Sequence, residues 1–261
     1  MKYGFIGCGN MGGALARALS KTTKDIMVSD FDKSRAEALA AELGVTAAVG
    51  NAQVVLECER IFLGVKPQMM AEMLGGIKSQ LEAKKPLLIS MAAGLTTDKI
   101  KDLAGDMPVI RIMPNTPVSV GSGVILYCSI GADQNVVEDF VNDMRYSGKL
   151  YSVSEGLIDA GCSVSGCGPA FMYMFASAVA KGGVECGLSP EQSIEFAAAT
   201  MSGAAQMLLS SGKTPEQLTD AVCSKGGSTI EGVNVLRNSD FEKTVIDCVK
   251  AAYKRNLELG K

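Results

Sequence analysis

A Gly-x-Gly-x-x-Gly run, Gly7-Cys8-Gly9-Asn10-Met11-Gly12, stands near the start of the chain. It follows a short apolar run at residues 3–6 and opens a segment with helical spacing at 11–20. In that setting the glycines permit a tight turn and close approach of a pyrophosphate to the backbone. The helix start adds free N–H groups and the positive end of a dipole. The chemistry implied is dinucleotide binding. Asp30 ends the next apolar run, where an acidic residue would hold a ribose 2′-hydroxyl. It argues for NADH, whereas Ser29, Lys33 and Arg35 close by could accept a 2′-phosphate, so NADPH and NADH both stay open.

Two further apolar runs end in unusual residues, Val65-Lys66-Pro67-Gln68 and Ala92-Ala93-Gly94. In an open parallel sheet, ligands lie outside the carboxyl ends of the strands, and small residues at 92–94 would admit a nicotinamide ribose. Lys66 reads equally well as a cofactor contact or as a solvated strand-end lysine. Arg111-Ile112-Met113-Pro114-Asn115-Thr116-Pro117 sets two prolines around a polar pair. Ser165-Gly166-Cys167-Gly168-Pro169 and Ser224-Lys225-Gly226-Gly227-Ser228-Thr229 are glycine-rich helix entries. Such entries expose backbone N–H groups and suit anions, here a substrate carboxylate.

The elements that would position these residues alternate in the first half. Strand signals at 3–6, 26–29, 45–49, 61–65, 87–91, 109–113, 124–128 and 150–153 are interleaved with helical signals at 11–20, 34–43, 69–81 and 135–145. This alternation predicts βαβ units, an α/β class and a Rossmann-like, mostly parallel sheet. After Glu155 the texture turns to Ala, Met, Leu, Gln and Glu in long helical stretches, about five helices in all. Ser189-Pro190-Glu191-Gln192 and Thr214-Pro215-Glu216-Gln217 each have a capping residue, Pro at the first helical position and Gln at the third. The expected division is a Rossmann NAD(P)-binding domain over 1–153 and an all-helical substrate-binding and dimerisation domain over 154–261. The apolar faces of the helical half predict burial against a second copy.

Composition narrows the function. The chain has no histidine, which removes the commonest general base and metal ligand, and no metal is expected. A net charge of −3 supplies no nucleic-acid footprint. The eight cysteines are scattered without a CxxC pair, as suits thiols of a reducing compartment. No charged and then apolar leader is visible, and the apolar stretch at 170–180 is too short to span a bilayer, so no membrane role and a cytoplasmic location are expected. Cys8 and Cys167 sit in glycine-rich loops near helix starts, where a thiolate could be favoured, but they read mainly as small space-fillers.

The chain resembles the pyrroline-5-carboxylate reductase family over essentially its whole length. The resemblance rests on IGCGNMG at 6–12, GVKPQ at 64–68, SMAAG at 90–94, RIMPNTP at 111–117, SGCGPAF at 165–171 and SKGGSTIEG at 224–232. It implies a Rossmann domain followed by a helical domain that interleaves in a dimer, in some members assembled into decamers. The implied reaction reduces 1-pyrroline-5-carboxylate to proline with NADPH or NADH. By position, the cofactor would lie along Ile6, Gly7, Cys8, Gly9, Asn10 and Met11, near Ser29 and Asp30, and at Asn51. It would continue past Val65, Lys66, Pro67 and Gln68 to Ala92, Ala93 and Gly94, with Asn115 nearby. The substrate carboxylate would sit on the loop beginning at Ser224, with Gly227, Ser228 and the Thr229 hydroxyl as donors, and Glu155 near the ring. The family usually has Pro at the place of Lys225 and often Thr at that of Ser228.

The chemistry is consistent with a chain that lacks histidine. A cyclic imine protonated in water already accepts a hydride, so position and electrostatics carry the catalysis. Thr229 would hold the ring nitrogen or relay a proton, or alternatively cap a helix beginning at Ile230. Glu155 has a plainer reading as an acid in the first turn after Ser154. Two competing functions remain. A β-hydroxyacid dehydrogenase shares the N-terminal motif, but needs a lysine on the helix after the second glycine-rich segment, and here none occurs before Lys181. A non-catalytic NAD(P)-binding sensor would share the fold.

Overall fold

The structure, a computed structural model, describes residues 1–259. Strands β1 (Tyr3–Ile6), β2 (Ile26–Ser29), β3 (Thr46–Ala47), β4 (Arg60–Leu63), β5 (Leu87–Ser90), β6 (Val109–Met113), β7 (Gly123–Ile130) and β8 (Gly148–Ser152) form one sheet. Their order is β3-β2-β1-β4-β5-β6-β7-β8. All neighbours pair in parallel except β6 with β7. The chain order therefore reverses at β1, which is flanked by β2 and β4. That reversal opens a crevice at the carboxyl ends of β1 and β4.

Helices α1 (Asn10–Leu19), α2 (Lys33–Leu43), α3 (Asn51–Glu57), α4 (Pro67–Gly75), α5 (Lys78–Lys84), α6 (Thr97–Ala104) and α7 (Gln134–Asp143) accompany the sheet. Strands β1, β2, β4, β5 and β6 are buried at every residue, which explains their continuous apolar runs. One core cluster includes Phe5, Leu15, Leu19, Phe62 and Phe140, with Phe5 and Phe62 stacked at 4.3 Å. A second includes Ile6, Val54, Leu63, Met70 and Ile100. At the amino-terminal ends of β1 and β4, Arg60 donates to the Tyr3 hydroxyl at 2.9 Å, which donates to Asp143 at 2.8 Å.

The single helix expected over 69–81 is two helices, α4 starting at Pro67 and α5 ending at Lys84. The break falls at Gly75-Gly76, the poorest helix formers short of proline. The strand expected at 45–49 contracts to two residues. Helices α3 and α6 were not anticipated, although α6 carries a start signal, the Thr96 hydroxyl accepting from Lys99 N–H.

The second half contains α8 (Glu155–Ser165), α9 (Gly168–Glu185), α10 (Pro190–Ser210), α11 (Pro215–Val222), α12 (Ser228–Arg237) and α13 (Phe241–Leu259). Both expected capping boxes form, at Ser189 with Gln192 and at Thr214 with Gln217. The chain makes two compact units, residues 1–167 with the chain from 252 on, and residues 168–251. Helix α8 belongs to the first because Ile158 and Cys162 pack on Met113 and Leu126 of the sheet. Asn256 also belongs there, donating to the Asp159 carbonyl at 3.1 Å and to the Ser163 hydroxyl at 3.2 Å.

In the second unit α9 and α10 meet closely. A Cβ on Gly183 would lie 2.1 Å from the Ser193 hydroxyl oxygen, and that hydroxyl donates to the Ala180 carbonyl at 2.6 Å. Helices α11, α12 and α13 contribute no buried residue. An apolar groove of about 570 Å³, bordered by Met172, Phe175, Val179, Phe196 and Leu208, is left open. The stretch Glu155–Glu185 contains an 18-residue window long and apolar enough, by length and composition alone, to cross a membrane, and only 22% of that window is buried.

Candidate active site

The glycine motif is explained by what side chains would strike. Gly7 has φ +102, and a Cβ there would lie 2.6 Å from the Gly64 carbonyl carbon, where β1 and β4 end side by side. A Cβ on Gly12 would meet the Gly7 oxygen at 2.2 Å, so Gly12 lets α1 pack against the turn. Gly9 differs: a Cβ there would meet nothing within 4 Å and would project into open space. Gly9 is also the N-cap of α1, with no side-chain cap, so the first-turn N–H groups stay available for an anion.

A cleft of about 750 Å³ opens here. Of the residues expected at the cofactor, Ile6, Gly7, Gly9, Asp30, Asn51, Val65 and Lys66 line it. An uncapped helix start, an unfilled space at Gly9 and an acid at the end of β2 fit a dinucleotide. Lys66 precedes α4 as its N-cap with Pro67 at the first helical position, and Gln68 follows, both Lys66 and Gln68 being exposed. Cys8, Asn10, Met11, Ser29, Pro67, Gln68 and the 92–94 segment border the strand ends without lining this cleft. Gly94 has φ +76, a turn conformation that favours glycine.

The hydrogen bonds fix several of these side chains. The Asp30 carboxylate accepts from Cys8 N–H at 2.6 Å, Asp32 N–H at 2.9 Å and the Arg35 guanidinium at 3.2 Å. The Ser29 hydroxyl donates to the Asn51 side-chain oxygen at 2.8 Å, which sets the start of α3. Burial, and then the Asp30 carboxylate, pushes the Cys8 thiol up to about 12. Its glycine-rich surroundings therefore do not produce a thiolate.

Asn115 is 6% exposed and engaged at both side-chain polar atoms: it donates to the Ser165 carbonyl at 3.0 Å and accepts from Val124 N–H at 2.9 Å. It joins the end of β6 to α8 and β7. Glu155 begins α8, and its oxygens accept from Thr97 N–H at 2.6 Å, the Thr97 hydroxyl at 2.8 Å and Arg111 at 3.5 Å. Arg111, 1% exposed, also binds Asp159 at 3.0 Å, and its Nε has no hydrogen-bond partner among the described residues. Sequence reasoning put Arg111 in a motif but gave it no role; a lone arginine in an apolar strand is the signal that a buried acid must face it. It also missed Phe31, Met69 and Met73 at the cleft, where Phe31 is 97% exposed.

In the helical unit, α12 starts at Ser228 with Gly227 as N-cap and no side-chain cap. Thr229 thus lies inside the first turn, and the cap place expected for it belongs to Gly227. Gly226 has φ +72, Gly227 N–H donates to the Ser224 carbonyl at 3.0 Å, and a Cβ on Gly227 would lie 2.4 Å from the Ser224 hydroxyl oxygen. The turn presents exposed Ser224, Ser228 and Thr229, with exposed Lys225 beside them.

Comparison with known proteins decides the family. A family model described as pyrroline-5-carboxylate reductase dimerisation matches residues 155–259, and one described as NADP oxidoreductase coenzyme F420-dependent matches residues 2–94. The pyrroline-5-carboxylate reductase of Escherichia coli is 36% identical, with 100% of this chain and 98% of that protein covered. The chain belongs to the pyrroline-5-carboxylate reductase family. Family members of known structure superpose closely. That of Coxiella burnetii gives a TM-score of 0.92 at 30% identity, covering 100% of this chain and 98% of that chain. The Plasmodium falciparum pyrroline carboxylate reductase with NADP bound gives 0.87 at 29% identity, with the same coverage.

Proposed function

We propose that the protein reduces 1-pyrroline-5-carboxylate to L-proline with NAD(P)H, the last step of proline biosynthesis. The observation that carries this reading is the presence in one chain of a dinucleotide crevice and an uncapped, glycine-led helix start at α12. When bound, the reduced nicotinamide supplies a hydride to the imine carbon. The chain holds the pyrophosphate on the Gly7–Gly9 turn and the α1 N–H groups, and the ribose end near Ser29, Asp30 and Asn51. Val65, Lys66, Pro67, Gln68, Ala92, Ala93 and Gly94 border the remaining length of the cofactor.

The substrate carboxylate sits on the α12 start, with the first-turn N–H groups of Ser228 and Thr229 as donors; the Gly227 N–H expected as a donor is instead taken by the Ser224 carbonyl and shapes the turn. The Thr229 hydroxyl holds the ring nitrogen or helps relay a proton to it from water. Asn115 and Glu155 act as positioning residues, since their polar atoms are already engaged within the chain. Lys225 adds a cation beside the carboxylate.

The open α9–α10 groove is covered by a second copy, consistent with the dimerisation region matched at 155–259. The same pairing accounts for the apolar surface of the Glu155–Glu185 stretch, and the enzyme works in the cytoplasm as a dimer or as a decamer built from five dimers. The test is cofactor oxidation by the purified protein on adding 1-pyrroline-5-carboxylate. Proline formation supports the proposal, and cofactor binding without turnover overturns it.

A further inference from the structure

We propose that this enzyme selects NADH over NADPH, and that the Asp30 carboxylate makes the selection. This rests on the dinucleotide reading of the cleft and is independent of which imine is reduced. A carboxylate has about four lone-pair sites for hydrogen bonds. At Asp30 three are taken, by the N–H groups of Cys8 and Asp32 and by Arg35. One acceptor site is left, on a side chain that lines the cleft at the end of β2. A ribose 2′-hydroxyl can donate to it. A 2′-phosphate has almost nothing to donate and brings like charge against an acid that two backbone N–H groups hold in place.

Arg35 does not reverse this. Its guanidinium is shared between Asp30 at 3.2 Å and Asp32 at 3.7 Å, so two carboxylates already answer its charge. A phosphate would have to take the arginine from both. Asp32 is itself fixed as the N-cap of α2, accepting from Ser34 N–H. Residue 31, which could have supplied a phosphate ligand, is Phe31, and its ring is 97% exposed beside the cleft. That ring offers a face for the adenine common to both cofactors, so Phe31 contributes affinity and Asp30 contributes choice.

Fluorescence titration of the full-length protein with NADH and NADPH, without substrate, tests this directly. The wild type is expected to bind NADH at least about tenfold more tightly, because like-charge juxtaposition costs several kcal/mol. Asp30→Ser removes the carboxylate and frees Arg35, so the ratio is expected to fall to near one or invert. Asp30→Asn keeps an acceptor for Cys8 N–H and should lower the ratio even if Asp30→Ser folds poorly. Phe31→Ala should weaken both cofactors alike. Equal or tighter NADPH binding by the wild type, or an unchanged ratio in a folded Asp30 variant, overturns the proposal. Failure to turn over 1-pyrroline-5-carboxylate would leave these titrations unaffected, so the two readings fail separately.

Discussion

Glu155 grips Thr97 twice, accepting from its backbone N–H at 2.6 Å and from its hydroxyl at 2.8 Å. This joins the first turn of α8 to the first turn of α6, just beyond the 92–94 segment expected at the cofactor. Arg111 lies against the same carboxylate and against Asp159. Glu155→Ala should therefore loosen the start of α6, leave Arg111 with less than its full charge compensation, and weaken cofactor binding. Thr97→Ala should do so to a smaller degree, and the double variant should cost less than the sum, with a coupling of about 1–2 kcal/mol. Thermal melts and cofactor titrations of the four proteins check this; additive effects would show that the contact of the Thr97 hydroxyl with Glu155 carries no energy.

The two glycines Gly9 and Gly12 should separate folding from binding. Gly12→Ala forces a Cβ to 2.2 Å from a backbone oxygen and should lower stability by at least about 2 kcal/mol. Gly9→Ala meets nothing in the protein, so its melting temperature should stay near wild type while cofactor affinity falls at least about tenfold. Calorimetry and titration together check the pair.

Thr229→Ala should lower turnover far more than it changes cofactor affinity, since Thr229 belongs to the α12 start and not to the cofactor cleft. Steady-state rates beside cofactor titration provide the check. Unchanged turnover would remove Thr229 from the mechanism.

Leu208→Glu places a charge in the apolar α9–α10 groove. It should convert the wild-type oligomer to smaller species in sedimentation measurements and leave the sheet domain folded. A wild type that sediments as a monomer would refute the covering of this groove by a second copy.

Cys8 should stay a thiol through the neutral range. Its folded value, pushed up to about 12 from 9.0, means that the unfolded chain loses this proton first as pH rises. Stability should therefore be insensitive to Cys8 below about pH 9 and decline above it. Cys8→Ala should flatten that part of the pH–stability curve, as followed by denaturant melts.

The cofactor end was legible because its signals are local. Gly7, Gly9, Gly12 and Asp30 lie within one βαβ unit, and each has a backbone reason that spacing reveals. The capping boxes at Ser189 and Thr214 were legible for the same reason. What escaped was short or distant. Helix α6 has one clear signal, Thr96, but only eight residues in which to show periodicity. The contact of Glu155 with Thr97 joins positions 58 apart, and no local pattern encodes it. The change of composition at 155 marks the start of long helices, but compactness divides at 167 because α8 packs on the sheet. Composition registers what a segment is made of, not what it packs against.

The most direct measurement is the yield of L-proline per cofactor oxidised, with purified protein, 1-pyrroline-5-carboxylate and NADH or NADPH. The expected result is one proline for each cofactor consumed, with rapid turnover. Cofactor that binds but is not oxidised, or is oxidised without forming proline, would contradict the assignment of this site as a pyrroline-5-carboxylate reductase.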